Sequence, residues 1–579
     1  MERRAGGLAP SGAAMPVGRP RIDEAERRAL AEVPKLPDWA IPMLCASLSD
    51  QDAALAASNR LLAISSLEDV PAFAAADSLA VRQAWALGGR VVARMDGQVF
   101  GKALTRCFAE AFLDKACFGL ARAKPELSAS RPFRPGQFGR ICAMLALVLL
   151  AMMLTPSVVL SLLALCLFLP LSALRFASLL SPAPRHDRAR LSDAELPVYS
   201  VMVALHREAE VLPQLVEALS KLDYPAPRLD VKLVIEADDR QTSDALFKLA
   251  LPAHFEIIRV PAAQPRTKPK ALNYALAFAR GEFVTIYDAE DVPDPRQLRQ
   301  AAEVFAASPL NTGCLQARLA FYNSNENWLT RQFGVEYATL FDLMLPLLAW
   351  VRMPVPLGGT SNHFRTQVLR NLGGWDPFNV TEDADLGLRL ARHGFFTRIL
   401  ASTTQEEAPS DLKTWLPQRA RWLKGWIQTW VVHTREPLAS IRDMGLLQYL
   451  MAQILMIGTF LAALLYPWFT ASFLWTVLSG KVFQHGGGAA EFAALVANLS
   501  VFVLGHGFML AAGAEGLRRR LPRARWIVAT MPLYWLMISA AAWVALWQFA
   551  TNPFHWNKTP HRGMRPHNRA KPEKERRRK

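Results

Sequence analysis

The chain has 579 residues, of which 51% are hydrophobic and 20% are charged, and its formal net charge is +16. This composition is too apolar for an ordinary soluble enzyme and too charged for a bundle made only of membrane-spanning helices. The basic residues crowd beside apolar runs, in the segment 518–525 and the tail 562–579. That placement favours contact with anionic membrane lipids and argues against nucleic acid as a partner.

The N-terminal part is expected to be cytoplasmic. Residues 1–35 are rich in Ala, Gly, Pro and Arg, which predicts a disordered segment. Residues 36–130 are expected to form a small, mainly helical domain, because apolar side chains recur there at helical spacing.

The next segment predicts contact with the membrane core. No charged residue occurs among the 34 residues from Ile141 to Leu174, whereas one straight span needs about 20. Pro156 interrupts this run, and arginines flank it on both sides. We therefore expect a transmembrane hairpin over 141–174, with a single tilted span as the alternative.

Residues 195–440 alternate short β-branched runs with helical patterns, which predicts an α/β domain with a mostly parallel sheet. The predicted strands are 198–205, 231–236, 255–260 and 283–287. The predicted helices between and after them are 209–221, 242–250, 269–280 and 295–307.

Transmembrane helices are predicted again over 445–550, in the apolar runs 445–479, 492–514 and 526–550. Pro467 leaves open whether the first run is one long span or two short ones. The basic tail 551–579 follows, and counting charges does not fix the side of the membrane on which it lies.

Acidic residues follow two of the predicted strands, in EADD (Glu236, Asp238, Asp239) and in DAED (Asp288, Glu290). Ligands of open α/β sheets bind beyond the carboxyl ends of strands. Clustered carboxylates there favour Mg²⁺ or Mn²⁺ bridging to a diphosphate, with a solvated acidic turn as the alternative.

Three further patterns carry possible chemistry. Lys268 opens a helix, and helix N-termini are neighbours of diphosphates, although a solvated surface lysine is an equally good explanation. TED places Glu382 and Asp383 at a helix start, where an ionised Asp can accept a proton or simply cap the helix. In QRARW, Gln418, Arg421 and Trp422 share one helical face, which suits a diphosphate and a sugar, or a helix lying on the membrane.

Taken in order, EADD, DAED, TED and QRARW resemble the motifs of the membrane-bound glycosyltransferase family 2, which includes cellulose and hyaluronan synthases. The stretches 355–365 and 552–563 are similar to its XagB-like bacterial branch. The resemblance implies a GT-A (Rossmann-like) catalytic domain between transmembrane helices, at a bacterial-type inner membrane with the catalytic domain in the cytoplasm.

The resemblance also implies roles for the motif residues. Asp383 would be the general base, and Asp288 and Glu290 would hold the metal, although the usual last Asp of the metal motif is here the longer Glu290. Donor binding would fall to Glu236, Asp238, Asp239, Lys268 and Asp288. Diphosphate and acceptor contacts would come from Gln418, Arg421, Trp422, Gly359, Thr360, Ser361 and Glu382.

The expected function is therefore inverting, metal-dependent transfer of a hexose-type sugar from a nucleotide sugar, expected to be a UDP-sugar, to a growing glycan. A processive exopolysaccharide synthase is the first hypothesis. A single-step transferase that glycosylates a membrane lipid carrier is the second, and a non-catalytic membrane scaffold of an export complex is the third.

Overall fold

The computed structural model describes residues 24–67, 70–131, 156–184, 188–480, 488–520 and 522–554, with Gly563 and a few isolated positions between 139 and 150. The predictions for residues 1–23, for the first part of the hairpin (141–155, apart from isolated positions) and for most of the tail 551–579 lie outside the described residues. The chain divides into two compact units, residues 1–107 with 190–196 and residues 108–189 with 197–579.

The N-terminal unit is mainly helical, as expected, and also contains a three-stranded sheet that the sequence did not predict. In that sheet β1 pairs antiparallel with β2, and β2 pairs parallel with β3. The first helix, Glu24–Glu32, begins inside the segment expected to be disordered, and a 2.6 Å ion pair between Glu26 and Arg82 holds it. The elements of this unit are the strands β1 (Leu61–Leu67), β2 (Val70–Ala75) and β3 (Arg90–Arg94), and the helices Glu24–Glu32, Ala40–Ala46, Asp50–Asn59 and Ser78–Ala86. A longer helix, Gly97–Ala123, has non-helical backbone angles at Phe108, where the two units divide.

An eight-stranded mixed sheet forms the centre of the second unit and confirms the expected α/β class. Its strands are β4 (Tyr199–Leu205), β5 (Leu229–Glu236), β6 (Phe255–Val260), β7 (Phe283–Tyr287), β8 (Val292–Pro293), β9 (Thr312–Phe321), β10 (Asn362–Arg365) and β11 (Phe396–Glu406), in the spatial order β6-β5-β4-β7-β10-β9-β11-β8. Strands β4 to β7 pair in parallel, as predicted, while β10 and β8 pair antiparallel with their neighbours. The carboxyl ends of β4, β5 and β7 therefore meet at one edge.

Helices cover the sheet and connect its strands. They are Leu212–Ser220, Arg240–Phe247, Lys268–Leu276, Gln297–Ala306, Trp328–Thr339, Leu345–Trp350, Thr366–Asn371, Glu382–Arg392, Leu412–His433 and Pro437–Met444. Nearly every residue of β4, β5 and β7 is buried, which explains why their sequences are mostly apolar. We call Glu382–Arg392 the TED helix and Leu412–His433 the QRARW helix.

Among the residues that the structure describes, four helical runs are long and apolar enough to cross a membrane, namely 328–350, 446–475, 495–518 and 526–551. The run after residue 445 is one continuous helical stretch, Leu446–Leu478, in which Pro467 does not break the helix. The run 328–350 was not predicted as a span, and 67% of its apolar window is buried inside the protein. A shorter apolar segment, Leu165–Leu179, lies in the helix Pro156–Leu179.

Candidate functional site

A cavity of about 780 Å³ in the second unit joins residues from all four sequence motifs. Asp288 follows β7, Asp383 lies in the first turn of the TED helix, and Trp422 lies in the QRARW helix; all three line this cavity. The acid at the end of β7 and Asp383 therefore face the same cavity. The interpretation of the sequence depends on this arrangement. The cavity also extends between the apolar helices that follow residue 445.

Lys268 connects the acidic side of the cavity to the loop before β10. Its ammonium group donates hydrogen bonds to the carboxylate of Asp288 and, at 2.8 Å, to the carbonyl oxygen of Gly359. Burial alone would lower the pKa of Lys268, but the carboxylates of Asp288 and Glu382 outweigh burial and hold that pKa above its ordinary value. Lys268 is therefore a fixed positive charge in the cavity wall.

The acids of EADD separate into different roles. Glu236 is buried in the cavity wall and forms an ion pair with Lys270 at 2.8 Å. Asp238 forms an ion pair with Arg266 near the surface, and Asp239 caps the helix Arg240–Phe247. Of these three acids, which the sequence could not rank, Glu236 is the one that lines the cavity.

The carboxylate of Asp239 accepts hydrogen bonds from two backbone N–H groups, one before it and one after it in the sequence. Its carboxylate accepts from the backbone N–H of Thr242 at 3.1 Å and from that of Arg207 at 2.6 Å. Arg207 adopts a positive φ of 55°, so this hydrogen bond fixes an unusual turn directly after β4. The side chain of Arg207 lines the cavity, together with those of His206 and Glu208, and sequence reasoning did not identify any of the three.

The acids of DAED form a buried cluster with Glu406. Burial, and then the nearby carboxylate of Asp288, raise the pKa values of Glu290 and Asp291 well above the ordinary range. Burial, and then the carboxylate of Asp291, also raise the pKa of Glu406 well above the ordinary range. Glu406 was not predicted, because it follows Asp288 by more than a hundred residues and enters the cluster through the pairing of β11 with β8, which directly follows DAED, and with β9.

The carboxylates of this cluster could supply some of the ligands of a cation, with another molecule supplying the rest. Asp291 Oδ1 and Glu406 Oε1 are buried without a hydrogen-bond partner, which is costly for carboxylate oxygens. Within the described ranges, however, no three His, Cys, Asp or Glu side chains converge as a complete set of metal ligands. Asp288 and Glu290 thus fit a divalent cation whose remaining ligands would be diphosphate oxygens and water.

The TED helix presents Asp383 to the cavity at its first turn. The backbone N–H of Ala384 donates to Asp383 Oδ1 at 2.8 Å, and Oδ2 lies 3.5 Å from the position that a Cβ atom on Gly359 would occupy. Burial raises the pKa of Asp383 above its ordinary value, although Lys268 and Arg421 oppose that shift. Burial and the charge of Asp383 raise the pKa of Glu382 to about 7.

Two side chains of the QRARW helix hold the segment before TED. Gln428 accepts from the backbone N–H of Val380 at 3.1 Å, and the amide of Asn379 donates to Thr429 Oγ1 at 2.9 Å. The position of Asp383 therefore depends on the QRARW helix as well as on its own.

The predicted face of the QRARW helix does point into the cavity. Gln418, Arg421 and Trp422 line it, and the indole of Trp422 stacks nearly parallel to the ring of Phe333, with centroids 5.8 Å apart. Burial lowers the pKa of Arg421, while Glu382 and then Asp383 oppose the shift, so the guanidinium lies within electrostatic reach of both acids.

Arg419, the arginine of QRARW that was not assigned a role, anchors the helix. It forms two 2.6 Å hydrogen bonds with Glu336 and donates to the hydroxyl of Tyr534 at 3.0 Å. Its guanidinium carbon also lies 4.8 Å from the ring centroid of Trp422. Arg419 thus joins the cavity wall to two apolar helices, 328–350 and 526–551, through contacts between residues that are far apart in the sequence.

Of the three loop residues expected near the acceptor, two line the cavity and one does not. Gly359 and Thr360 line the cavity, and the Thr360 hydroxyl donates to Asp291. Ser361 is fully buried, has a φ of 56°, and donates from its hydroxyl to Thr404 at 2.7 Å, so the structure does not bring its side chain to the cavity.

Comparison with known proteins finds a family model that is similar to the middle of the chain. Residues 197–425 match the model of the family described as "Glycosyltransferase like family 2". This range contains all four motifs completely and all eight strands of the larger sheet.

The proteins similar to the chain include the following two relatives and one solved structure. The beta-monoglucosyldiacylglycerol synthase of Synechocystis sp. is 30% identical over 273 residues, which are 46% of this chain and 56% of that protein. The probable glucomannan 4-beta-mannosyltransferase 6 of Oryza sativa is 27% identical over 257 residues, which are 42% of this chain and 44% of that protein. The chain thus spans about half the length of these relatives. The mannosyltransferase PcManGT of Pyrobaculum calidifontis, solved with GDP-Man and Mn²⁺, aligns with a TM-score of 0.42 at 17% identity, covering 68% of this chain and 98% of that one.

Proposed function

We propose that this protein is a membrane-embedded, inverting glycosyltransferase that moves a hexose-type sugar from a nucleotide sugar to an acceptor hydroxyl. The observation that carries the proposal is the single cavity lined by Asp288, Asp383 and Trp422, which extends between apolar helices. The family match over 197–425 supports the reaction class. The motif order and the apolar runs on both sides support the cellulose synthase- and hyaluronan synthase-like group, with its XagB-like branch.

The donor would lie along the acidic side of the cavity. Glu236 and Arg266 would contact the nucleoside, and Lys268 and Arg421 would face the diphosphate, as cationic groups that remain charged in the buried site. Asp288 and Glu290 would hold Mg²⁺ or Mn²⁺, which supplies charge neutralisation to the diphosphate when bound. The donor is proposed to be a UDP-sugar.

In the transfer step, Asp383 takes the proton of the acceptor hydroxyl as its oxygen attacks the anomeric carbon. The new carbon–oxygen bond forms on the face opposite the nucleotide. The bond from the anomeric carbon to the diphosphate breaks, and the nucleoside diphosphate leaves with the electron pair. Lys268 and Arg421 stabilise the negative charge that develops there, and one displacement inverts the configuration.

The structure also bears on the choice between a polymer and a lipid acceptor. One relative is named a beta-monoglucosyldiacylglycerol synthase and the other a probable glucomannan 4-beta-mannosyltransferase, so their names support both. The part of the cavity between the helices is lined largely by Leu, Met, Phe, Val and Ala side chains. Such walls suit the chain of a lipid, so we favour the single-step transferase over the processive synthase at a bacterial-type inner membrane, with the catalytic domain in the cytoplasm.

The substitution Asp383→Asn tests the proposal. It should lower the rate of sugar transfer by roughly 10²–10⁴-fold, because the proton acceptor is lost, while nucleoside diphosphate affinity changes little. Asp244→Asn, an exposed acid outside the cavity, is the matched control. Transfer would be followed by product mass with a panel of nucleotide sugars, and binding by calorimetry. Normal turnover in Asp383→Asn would remove Asp383 from this role.

A further inference from the structure

Arg175 lines the part of the cavity that lies between the apolar helices. Arg419 also reaches this part, but its charge is balanced by Glu336. Arg175 belongs to the helix Pro156–Leu179 and lines the cavity beside Leu171 and Leu174 of the same helix. It lies four residues before the helix end, a rise of about 6 Å. After this end the chain continues to β4 of the catalytic sheet. The guanidinium is therefore near the cytoplasmic boundary of the apolar region, where phospholipid headgroups lie.

No carboxylate in the described part of the chain neutralises Arg175. Its side chain is half-buried in the cavity wall and, among the described residues, has no hydrogen bond or ion pair. The nearby polar group is His506, which donates from Nδ1 to the carbonyl of Phe502 at 2.8 Å and accepts from the Tyr466 hydroxyl at 3.2 Å. A neutral imidazole bound in this way cannot balance the charge of Arg175.

A permanent cation in an apolar wall is stabilised by an anion, which offsets the cost of its partial desolvation. Arginine is also the side chain whose geometry best matches a phosphate, because its planar group donates two parallel hydrogen bonds. An anion that suits this position must carry a phosphate at the boundary and an apolar chain beyond it. A phospholipid has this form, whereas the nucleotide donor has no apolar chain.

The walls around Arg175 also argue against a glycan in this part of the cavity. Sugar hydroxyls need hydrogen-bond partners, yet three of the few polar side chains here already bond to protein groups: Ser172 donates to the carbonyl of Phe168 at 2.7 Å, and Tyr466 bonds to His506. The neighbouring lining residues are apolar, for example Leu455, Val501 and Met509.

We infer that a lipid carrying a phosphate in its headgroup binds in this cavity, with the phosphate on Arg175 and the apolar chains between the helices. This inference rests on the proposed function in one respect: because Asp383 faces the same cavity, the bound phospholipid is the acceptor, through a headgroup hydroxyl beyond the phosphate.

Competition between two lipids tests the binding site directly. The purified full-length chain would be mixed with equal amounts of phosphatidylglycerol and diacylglycerol with identical acyl chains, and bound lipids would be counted by native mass spectrometry. The wild-type protein should prefer phosphatidylglycerol by roughly tenfold or more, since a hydrogen-bonded ion pair is gained. Arg175→Gln should lose that preference, and Arg175→Lys should keep part of it.

Arg518→Gln is the matched control, because it also removes one arginine charge near the end of an apolar helix but lies outside the cavity. It should bind like the wild type, and excess inorganic phosphate should not displace the lipid, because the chains contribute to binding. An unchanged preference in Arg175→Gln, equal binding of both lipids by the wild type, displacement by inorganic phosphate, or a retained oligosaccharide would overturn the inference.

The same samples separate this inference from the proposed function. Asp383→Asn should retain the lipid preference while losing transfer. Sugar transfer without lipid preference would contradict only the lipid site. Lipid preference without any turnover of nucleotide sugars would contradict only the proposed reaction.

Discussion

A Cβ atom placed on Gly425 would lie 2.3 Å from the hydroxyl oxygen of Thr381, so the QRARW helix touches the residue before the TED helix with no space for a side chain. Thr381 is two residues from Asp383, which faces the cavity. This contact makes the position of the proposed base sensitive to a residue that is not part of the cavity.

The first prediction concerns this contact. Gly425→Ala should push Thr381 away and displace Asp383, and a displacement of about 1 Å can cost roughly 10²-fold in rate. Transfer should therefore fall about that far while the protein still folds and still binds nucleoside diphosphate. The measurement is the transfer rate, with thermal unfolding in detergent as the check on folding.

Gly507→Ala provides the comparison for that variant. Gly507 is also a helical glycine, and a Cβ atom there would meet nothing within 4 Å. This variant should keep its activity. If Gly425→Ala and Gly507→Ala transfer sugar equally well, the contact with Thr381 does not position Asp383.

The second prediction concerns pH. Asp383 must be ionised to accept a proton, and burial raises its pKa, so kcat/KM should fall with decreasing pH at a higher pH than for an ordinary aspartate. A second inflection is expected near pH 7, where Glu382 titrates beside it. A rate profile across this range measures both.

Glu382→Gln removes the second titrating group and keeps the size of the side chain. The inflection near pH 7 should then disappear, while the acidic limb that belongs to Asp383 remains. An inflection near pH 7 that persists in Glu382→Gln would assign it to another group.

The third prediction concerns the divalent cation. Because Asp288 and Glu290 supply only part of a coordination shell, the cation should bind mainly together with the donor, and a chelator should stop transfer reversibly. Glu290→Gln should raise the Mn²⁺ concentration needed for half-maximal activity roughly tenfold or more. Asp294→Asn, an exposed acid of the same loop, should leave that concentration unchanged. Full activity of the wild type in chelator would instead leave Lys268 and Arg421 as the groups that neutralise the diphosphate.

Much of the fold could be predicted from the sequence, because it depends on local patterns. Buried parallel strands require continuous apolar runs, and β4 to β7 lie within one or two residues of their predicted bounds. The apolar run after residue 445 was also clear from composition, although its single helical stretch across Pro467 was not. The sheet of the N-terminal unit was missed, because its strands, such as Leu61–Leu67 and Arg90–Arg94, are short and their apolar residues also fit a helical pattern.

For the candidate site, the sequence by itself determined which residue types were available and in which order the motifs follow one another. Only the tertiary structure decided which side chains face the cavity. In the structure Glu236 lines the cavity, Asp239 caps a helix, and Ser361 is buried in the sheet. Glu406 and Arg175 also line the cavity, although neither belongs to a sequence motif. The physical reason is that the direction of a side chain at a strand end or in a helix is fixed by contacts with distant elements, and one sequence does not reveal which elements pack together.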